Sequence, residues 1–297
     1  MSSYSYDVRL LMCPNCGGAL EVPLAGGHCE CSYCGTTSVW QQRTDRAIYS
    51  EPIDEETRLA GLFEQAKQPD RKPPASIRHM FPPGGTMSPT YTDEALAAFQ
   101  RARAEMARVA DAGERIFFLT IGLYNIWSGP KNQTRQRALM ETATELLREP
   151  GHRAVLQGMM ARNACRAGDL ISANRWLALM DPRSPSLRAD SAYRLTRAYV
   201  ETAQQRWPLV IDALGEKIGS VPLSPGDIAM CVVMRANAHE QAGDLATATT
   251  HLFVAMQQAP HLRLVCKAII HANPTLGMCP ASYRNALAHL ERPGQGS

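Results

Sequence analysis

Four cysteines in two short motifs, Cys13-Pro14-Asn15-Cys16-Gly17 and Cys31-Ser32-Tyr33-Cys34-Gly35, limit what this chain can fold into more than any other feature. Each motif sets two thiols three positions apart on a tight turn. A glycine follows the second cysteine, where the backbone must take positive φ without strain. Two such turns facing each other bring four thiolates to the corners of a tetrahedron, which is the arrangement of a closed structural metal site. Fourteen residues separate the two pairs, close to the separation of a paired Cys-x2-Cys zinc site.

Between the pairs, residues 19–23 (Ala-Leu-Glu-Val-Pro) read as a short strand, 25–27 (Ala-Gly-Gly) as a turn, and 28–31 as the return to the second motif. Residues 36–41, rich in β-branched and aromatic side chains, read as a further strand. Over roughly residues 11–42 the pattern resembles a zinc ribbon of the CPxCG…CxYCG type. The resemblance implies one structural Zn2+ held by Cys13, Cys16, Cys31 and Cys34. In a segment with almost no apolar core, metal binding supplies the folding free energy, on the order of 10 kcal/mol. His28 and Cys29 offer donors beyond the four. On an extended strand Cys29 and Cys31 share a face, so Cys29 is expected beside the metal or exposed, while Cys31 has the knuckle turn. A redox role for Cys29 is the alternative.

The chain has 297 residues, 45% of them hydrophobic, enough for two domains. No apolar run approaches the length of a membrane span. The first residues, Met-Ser-Ser-Tyr-Ser-Tyr-Asp, carry neither a basic region nor an apolar stretch, so no secretory signal is expected. Five of the nine cysteines fall in the ribbon, and Cys165, Cys231, Cys266 and Cys279 are scattered over helical segments. That usage suits a reducing, cytoplasmic setting better than a disulfide framework. The net charge of +3 does not by itself imply a polyanionic partner. Residues 1–50 carry three arginines (Arg9, Arg43, Arg46) against four acids (Asp7, Glu21, Glu30, Asp45).

Three regions follow: a ribbon over 1–45, a short helix and proline-rich linker over 46–91, and a helical domain over 92–297. Residues 54–66 can form a short amphipathic helix with acids in its first turn. Six prolines between 69 and 89 then forbid helix. Ile77, Met80 and Phe81 are apolar enough to dock on a neighbouring surface, so the linker is expected to be partly pinned. From Thr92 onward the pattern predicts helices near 92–109, 114–127, 133–148, 152–167, 169–181, 188–203, 207–219, 226–242, 244–258, 261–272 and 280–290.

Two stretches of this helical region match. Aligning the Ala-Gly-Asp-Leu sequences at 167–170 and 242–245 also aligns Ala161 with Ala236, Ala173 with Ala248, and Pro185 with Pro260. Two weaker copies fit the same frame, one with Ala198, Val210, Leu214 and Pro222, the other with Phe118, Ile121, Gly122, Tyr124, Ala138 and Pro150. The four prolines recur at intervals of 35, 37 and 38 residues. The pattern resembles the tetratricopeptide repeat, with small residues where its two helices touch, glycine ending the first helix and proline closing the unit. An unrelated helical bundle is the alternative. The expected fold is therefore mainly α: a small β zinc ribbon followed by an α-solenoid of helix-turn-helix repeats.

No catalytic constellation is found. His239-Glu240 lacks the second histidine of a helical zinc site, and neither a nucleophile elbow nor a phosphate-binding glycine loop is present. The expectation is a non-enzymatic cytoplasmic adaptor that binds a protein partner, an extended or acidic segment, through its repeats. In the repeat frame the partner face includes Asn125, Arg162, Arg166, Tyr199, Asn237 and Glu240. Nucleic-acid binding is the first alternative, since residues 162–207 carry eight arginines against four acids. A redox sensor working through the ribbon thiols is the second.

Overall fold

Two kinds of local sequence, short β-forming runs around the cysteines and alanine-rich helical runs beyond, form two units, Met1–Glu55 and Glu56–Ser297. The structure, a computed structural model, describes residues 8–13, 15–16, 19–23, 26–41, 54–82, 86–127, 132–216, 221–272 and 280–291.

The first unit holds two antiparallel hairpins. Strand β1 (Val8–Met12) pairs with β2 (Ala19–Pro23), Met12 opposite Ala19, and β3 (Gly26–Glu30) pairs with β4 (Thr37–Gln41), Glu30 opposite Thr37. Each hairpin closes on one cysteine motif. Two elements differ from the sequence expectation. β1 was not anticipated, because its pairing with β2 is what makes it a strand. Gly26 and Gly27, expected in a turn, pair with Gln41 and Trp40.

The second unit is helical. Its described helices are α1 (Glu55–Ala66), α2 (Thr92–Glu105), α3 (Ala112–Ile126), α4 (Gln133–Leu146), α5 (Pro150–Arg166), α6 (Leu170–Ala178), α7 (Leu187–Ala203), α8 (Trp207–Leu214), α9 (Ile228–Gln241), α10 (Leu245–Gln258), α11 (Leu262–Ala272) and α12 (Pro280–Glu291). Sequential neighbours pack on one another, α2 with α3, α3 with α4, α5 with α6, α7 with α8 and α9 with α10, and α5 packs broadly on α7. One apolar cluster gathers Ile116, Leu119, Met140 and Leu156, and another gathers Val210, Leu214, Val233 and Leu252.

The matched residues occupy matched places. Ala161, Ala173, Ala198, Ala236 and Ala248 are all fully buried, as expected where backbones approach closely. Ala138 is not: it is exposed, and α4 buries Met140 and Ala143 instead. Both Ala-Gly-Asp-Leu turns are built alike. Gly168 and Gly243 have φ of 76° and 86°. The Asp169 and Asp244 amides donate back to the carbonyls of Ala164 and His239, each at 2.9 Å. The same aspartates cap the next helix by accepting from the amides of Ser172 and Thr247, each at 3.0 Å.

Gly158 lies at the α5–α7 crossing. A Cβ there would lie 2.5 Å from the Thr196 hydroxyl and 3.0 Å from the Arg162 guanidinium. The α7 backbone would be met at an ordinary 3.7 Å, so the cost of a side chain here falls on the Thr196 hydroxyl and the Arg162 guanidinium bonded to it, which would have to move.

The proline-rich segment lies within the second unit and is pinned there at Ile77 and Met80, two of the residues expected to dock. Ile77, Met80 and Met87 are buried, and Phe81 meets Phe118 edge to face at 6.3 Å. Helix α1 is tied down by charge. Arg58 pairs with the fully buried Asp190 of α7 at 2.8 Å, and Arg194 takes the other carboxylate oxygen at 2.7 Å. Arg58 also donates to the Ser184 carbonyl, and Arg194 to that of Ala213 in α8. The Gln65 amide clasps the start of α7, donating to the Pro185 carbonyl and accepting from the Leu187 amide, both at 2.8 Å.

His239 and His251 lie with ring centroids 4.9 Å apart in the α9–α10 pair. Burial, helped by Arg235 and His239, pushes the His251 pKa down from 6.5 to about 4. Between those values the unfolded chain takes up a proton that the folded chain refuses. The neutral histidine's contribution is therefore complete above pH 6.5 and is lost as pH falls toward 4. Urea unfolding at about pH 7.5 and about pH 5 should show a loss of roughly 2 kcal/mol from this site. His251→Asn should flatten that dependence, and an unchanged slope in the variant would reject the assignment. At the other crossing, Gly158→Ala should lower unfolding free energy by about 1–3 kcal/mol, because the added methyl has no room.

Candidate metal centre

The sharp turns at the hairpin tips place the four cysteines. At the second, the Gly35 amide donates to the Cys31 carbonyl at 2.8 Å and the Cys31 amide to that of Thr36 at 3.0 Å. Gly35 has φ of 68°, the left-handed conformation that the motif predicts. Pro14 and Gly17, at the first turn, lie outside the described residues.

The sulfur atoms of Cys13, Cys16, Cys31 and Cys34 all lie within 4.8 Å of one another. Cys13 Sγ is 3.7 Å from Cys34 Sγ, and Cys16 Sγ is 3.6 Å from Cys31 Sγ. Both separations far exceed a disulfide bond, which is about 2.05 Å. They approach the value of about 3.8 Å set by four sulfurs at metal–sulfur distances of about 2.3 Å around a tetrahedral ion. The donor set fits one metal ion. Cys13 and Cys31 are buried, while Cys16 and Cys34 are exposed.

Two residues that the motif did not flag support this cluster. Thr36 Oγ1 lies 3.2 Å from Cys34 Sγ, and Asn15 Nδ2 donates to Thr36 Oγ1 at 3.0 Å and reaches Cys34 Sγ at 3.8 Å. Hydrogen bonds from the Thr36 hydroxyl, then from its backbone amide and the Cys16 thiol, bring the Cys34 pKa from 9.0 to about 6. A thiol so lowered is a thiolate at neutral pH, the form in which cysteine binds metal. The sequence signal for both was their position, one inside a Cys-x-x-Cys and one just after a Cys-Gly. Cys29 does not join the cluster: it is half-buried, with Sγ 3.9 Å from the Glu30 carbonyl, and His28 is exposed.

The six residues expected on a partner face divide. Asn125 and Arg166 are exposed, and the Arg166 guanidinium stands 5.9 Å from the Tyr199 ring centroid. Arg162 is half-buried, donating to Thr196 Oγ1 at 3.3 Å, and desolvation lowers its pKa. Tyr199 and Asn237 are buried. Glu240 caps α12, accepting from the Ala281 and Ser282 amides at 3.2 and 2.9 Å and from the Ser282 hydroxyl at 2.6 Å. Asn237 is thus enclosed in the fold, and Glu240 is engaged by the start of α12. No contact within the local sequence announces the Glu240 cap, whose partners are 41 and 42 residues away.

No protein-family model, no curated protein and no solved structure matches the chain.

Purified protein should bind one metal ion per chain. Cys13→Ser and Cys34→Ser should each abolish stoichiometric binding by elemental analysis, and Cys29→Ser should preserve it. Metal kept in Cys34→Ser but lost in Cys29→Ser would assign the fourth ligand wrongly.

Proposed function

We propose that the chain is a non-enzymatic adaptor, a zinc ribbon joined to a tetratricopeptide-like solenoid that holds a protein partner on its helical surface. The metal of the ribbon is Zn2+, in keeping with four thiolates, a closed tetrahedral set and no fifth donor in the cluster among the described residues. One observation carries the solenoid reading: polar side chains link the first helices of successive pairs in a row. Asn163 of α5 donates to Tyr124 Oη of α3 at 2.5 Å, Arg162 of α5 reaches Thr196 of α7, and Arg166 lies over Tyr199 of α7. Repeat arrays bind extended segments along such a row. Exposed Arg166 beside an aromatic ring suits an acidic segment.

The nucleic-acid alternative draws less support. Of the eight arginines in 162–207, Arg194, Arg197 and Arg206 are paired with Asp190, Asp212 and Glu201, and Arg162 is half-buried. Half of the eight are thus paired or half-buried and poorly placed to meet phosphates.

Photo-crosslinking from α5 and α7 of the full chain in native lysate should capture a saturable partner, with cross-links concentrated around Arg166. Arg166→Glu should reduce capture while leaving the fold intact by circular dichroism. Cross-links spread evenly over the helical surface, or capture indifferent to Arg166→Glu, would reject the adaptor face.

A further inference from the structure

Residues 245–290 contain no aspartate or glutamate, although the chain has 28 acids among 297 residues. They do carry Arg263, Lys267 and Arg284, all exposed and without an ion pair among the described residues. Exposed arginines elsewhere, such as Arg71 and Arg137, have carboxylate partners at 2.8 Å. The elements around α11 do not make up the difference. Helix α9 brings only Glu240, which the Ala281 and Ser282 amides engage, and α10 brings no acid. Asp244, between them, caps α10 by accepting from the Thr247 amide. Helix α12 brings only Glu291, its last residue.

Helix α11 has two faces. Leu262 and Cys266 are buried, and Ile269 and Ile270 pack on the same apolar cluster. At about 3.6 residues per turn, the opposite side carries Leu264, Lys267 and Ala268, with Arg263 and Val265 flanking it. Leu264 is 76% exposed and Val265 42%. Apolar side chains on an outward helix face, with unpaired cations beside them, suit a partner that is both oily and negative. The Tyr283 hydroxyl donates to the Arg263 carbonyl at 3.5 Å, which brings Arg284, the next residue of α12, into the same neighbourhood.

We propose that the outward face of α11 rests on the surface of an anionic lipid bilayer. Leu264 enters the headgroup layer, and Arg263, Lys267 and Arg284 meet the negative headgroups. The contact is peripheral, because no helix among the described residues is long and apolar enough to cross a membrane. A bilayer needs no complementary groove: it takes an apolar ridge among its chains and cations at its surface. Nucleic acid would satisfy the cations but set phosphates against Leu264 and Val265. The lack of acids extends from α10 to α12, which fits an extended negative plane better than one local acidic segment. Three cations and a leucine give weak, reversible association, no stronger than the value of about 10⁴ M⁻¹ for a single myristoyl chain.

Co-sedimentation of the full, metal-loaded chain with phosphatidylcholine vesicles, with and without phosphatidylglycerol, tests this at about millimolar lipid and low salt. Binding should favour the anionic vesicles by at least about tenfold and fall as salt is raised. Lys267→Gln and Arg263→Gln should each weaken partitioning about fivefold, the worth of one cation near such a surface. Leu264→Asn should weaken it about tenfold. These side chains are exposed, so thermal unfolding should stay unchanged. Arg166→Glu, in the row linking α5 to α7, should bind vesicles as the wild type does, so failure here leaves the adaptor face untouched. No binding, equal binding to neutral vesicles, or binding indifferent to Leu264→Asn would overturn the proposal. So would polyglutamate or an RNA oligonucleotide that binds more tightly than the vesicles and is released by Lys267→Gln, which would give the face to that partner.

Discussion

Asp190 is a carboxylate with no access to solvent, and the helical unit is arranged so that it is never alone. Removing a charge from water costs several kcal/mol in practice, and the cost is offset only when partners and geometry are both supplied. Here two guanidiniums supply them from two directions, Arg58 from α1 and Arg194 from the next turn of α7. Each guanidinium reaches on to a backbone carbonyl, of Ser184 and Ala213. One buried anion thus fixes where α1, the α6–α7 connection, α7 and the end of α8 meet. An apolar contact in its place would tolerate sliding by a fraction of a turn, and a carboxylate held at each oxygen by a different arginine does not.

The same ion pair explains what the sequence could and could not disclose. Helices from Thr92 onward were legible because apolar periodicity, caps and breakers are local, and their observed bounds lie within a few residues of the expected ones, α8 excepted. Helix α8 stops at Leu214, where Gly215 turns to φ of 77°. The place of α1 was not legible. Arg58 and Asp190 are 132 residues apart, and nothing in Asp-Glu-Glu-Thr-Arg says that its arginine will be buried. The proline-rich stretch was partly legible: prolines forbid a helix but not packing, and Ile77 and Met80, expected to dock from their apolar character, are buried, as is Met87.

At the cysteine cluster the sequence was most informative, since ligand spacing and turn glycine are both imposed by short-range geometry. The supporting polar contacts, Asn15 to Thr36 to Cys34, cross between the two motifs and depend on the hairpins being face to face. Partner-face residues were the least legible. A repeat frame assigns a side to each helix position but not its burial or its partners: Tyr199 and Asn237 are buried, and Glu240 is engaged by the start of α12. The two units also rest on different physics. One would draw on metal–thiolate bonds at its four clustered cysteines, the other draws on apolar surface removed from water and the few charges buried within it.

The two Ala-Gly-Asp-Leu turns have a consequence for the order in which the chain acquires structure. Every contact that defines them spans five residues or fewer, and a Cβ at Gly168 or Gly243 would meet nothing within 4 Å. They close with little loop entropy. Each is a self-contained starting point from which a helix pair can zip outward, one near the middle of the chain and one toward its end. The pairs α3–α4 and α7–α8, which lack such turns, are then templated by structured neighbours on one or both sides. The Asp190 cluster, with its long separation in sequence, is completed only after the surfaces it joins are in place.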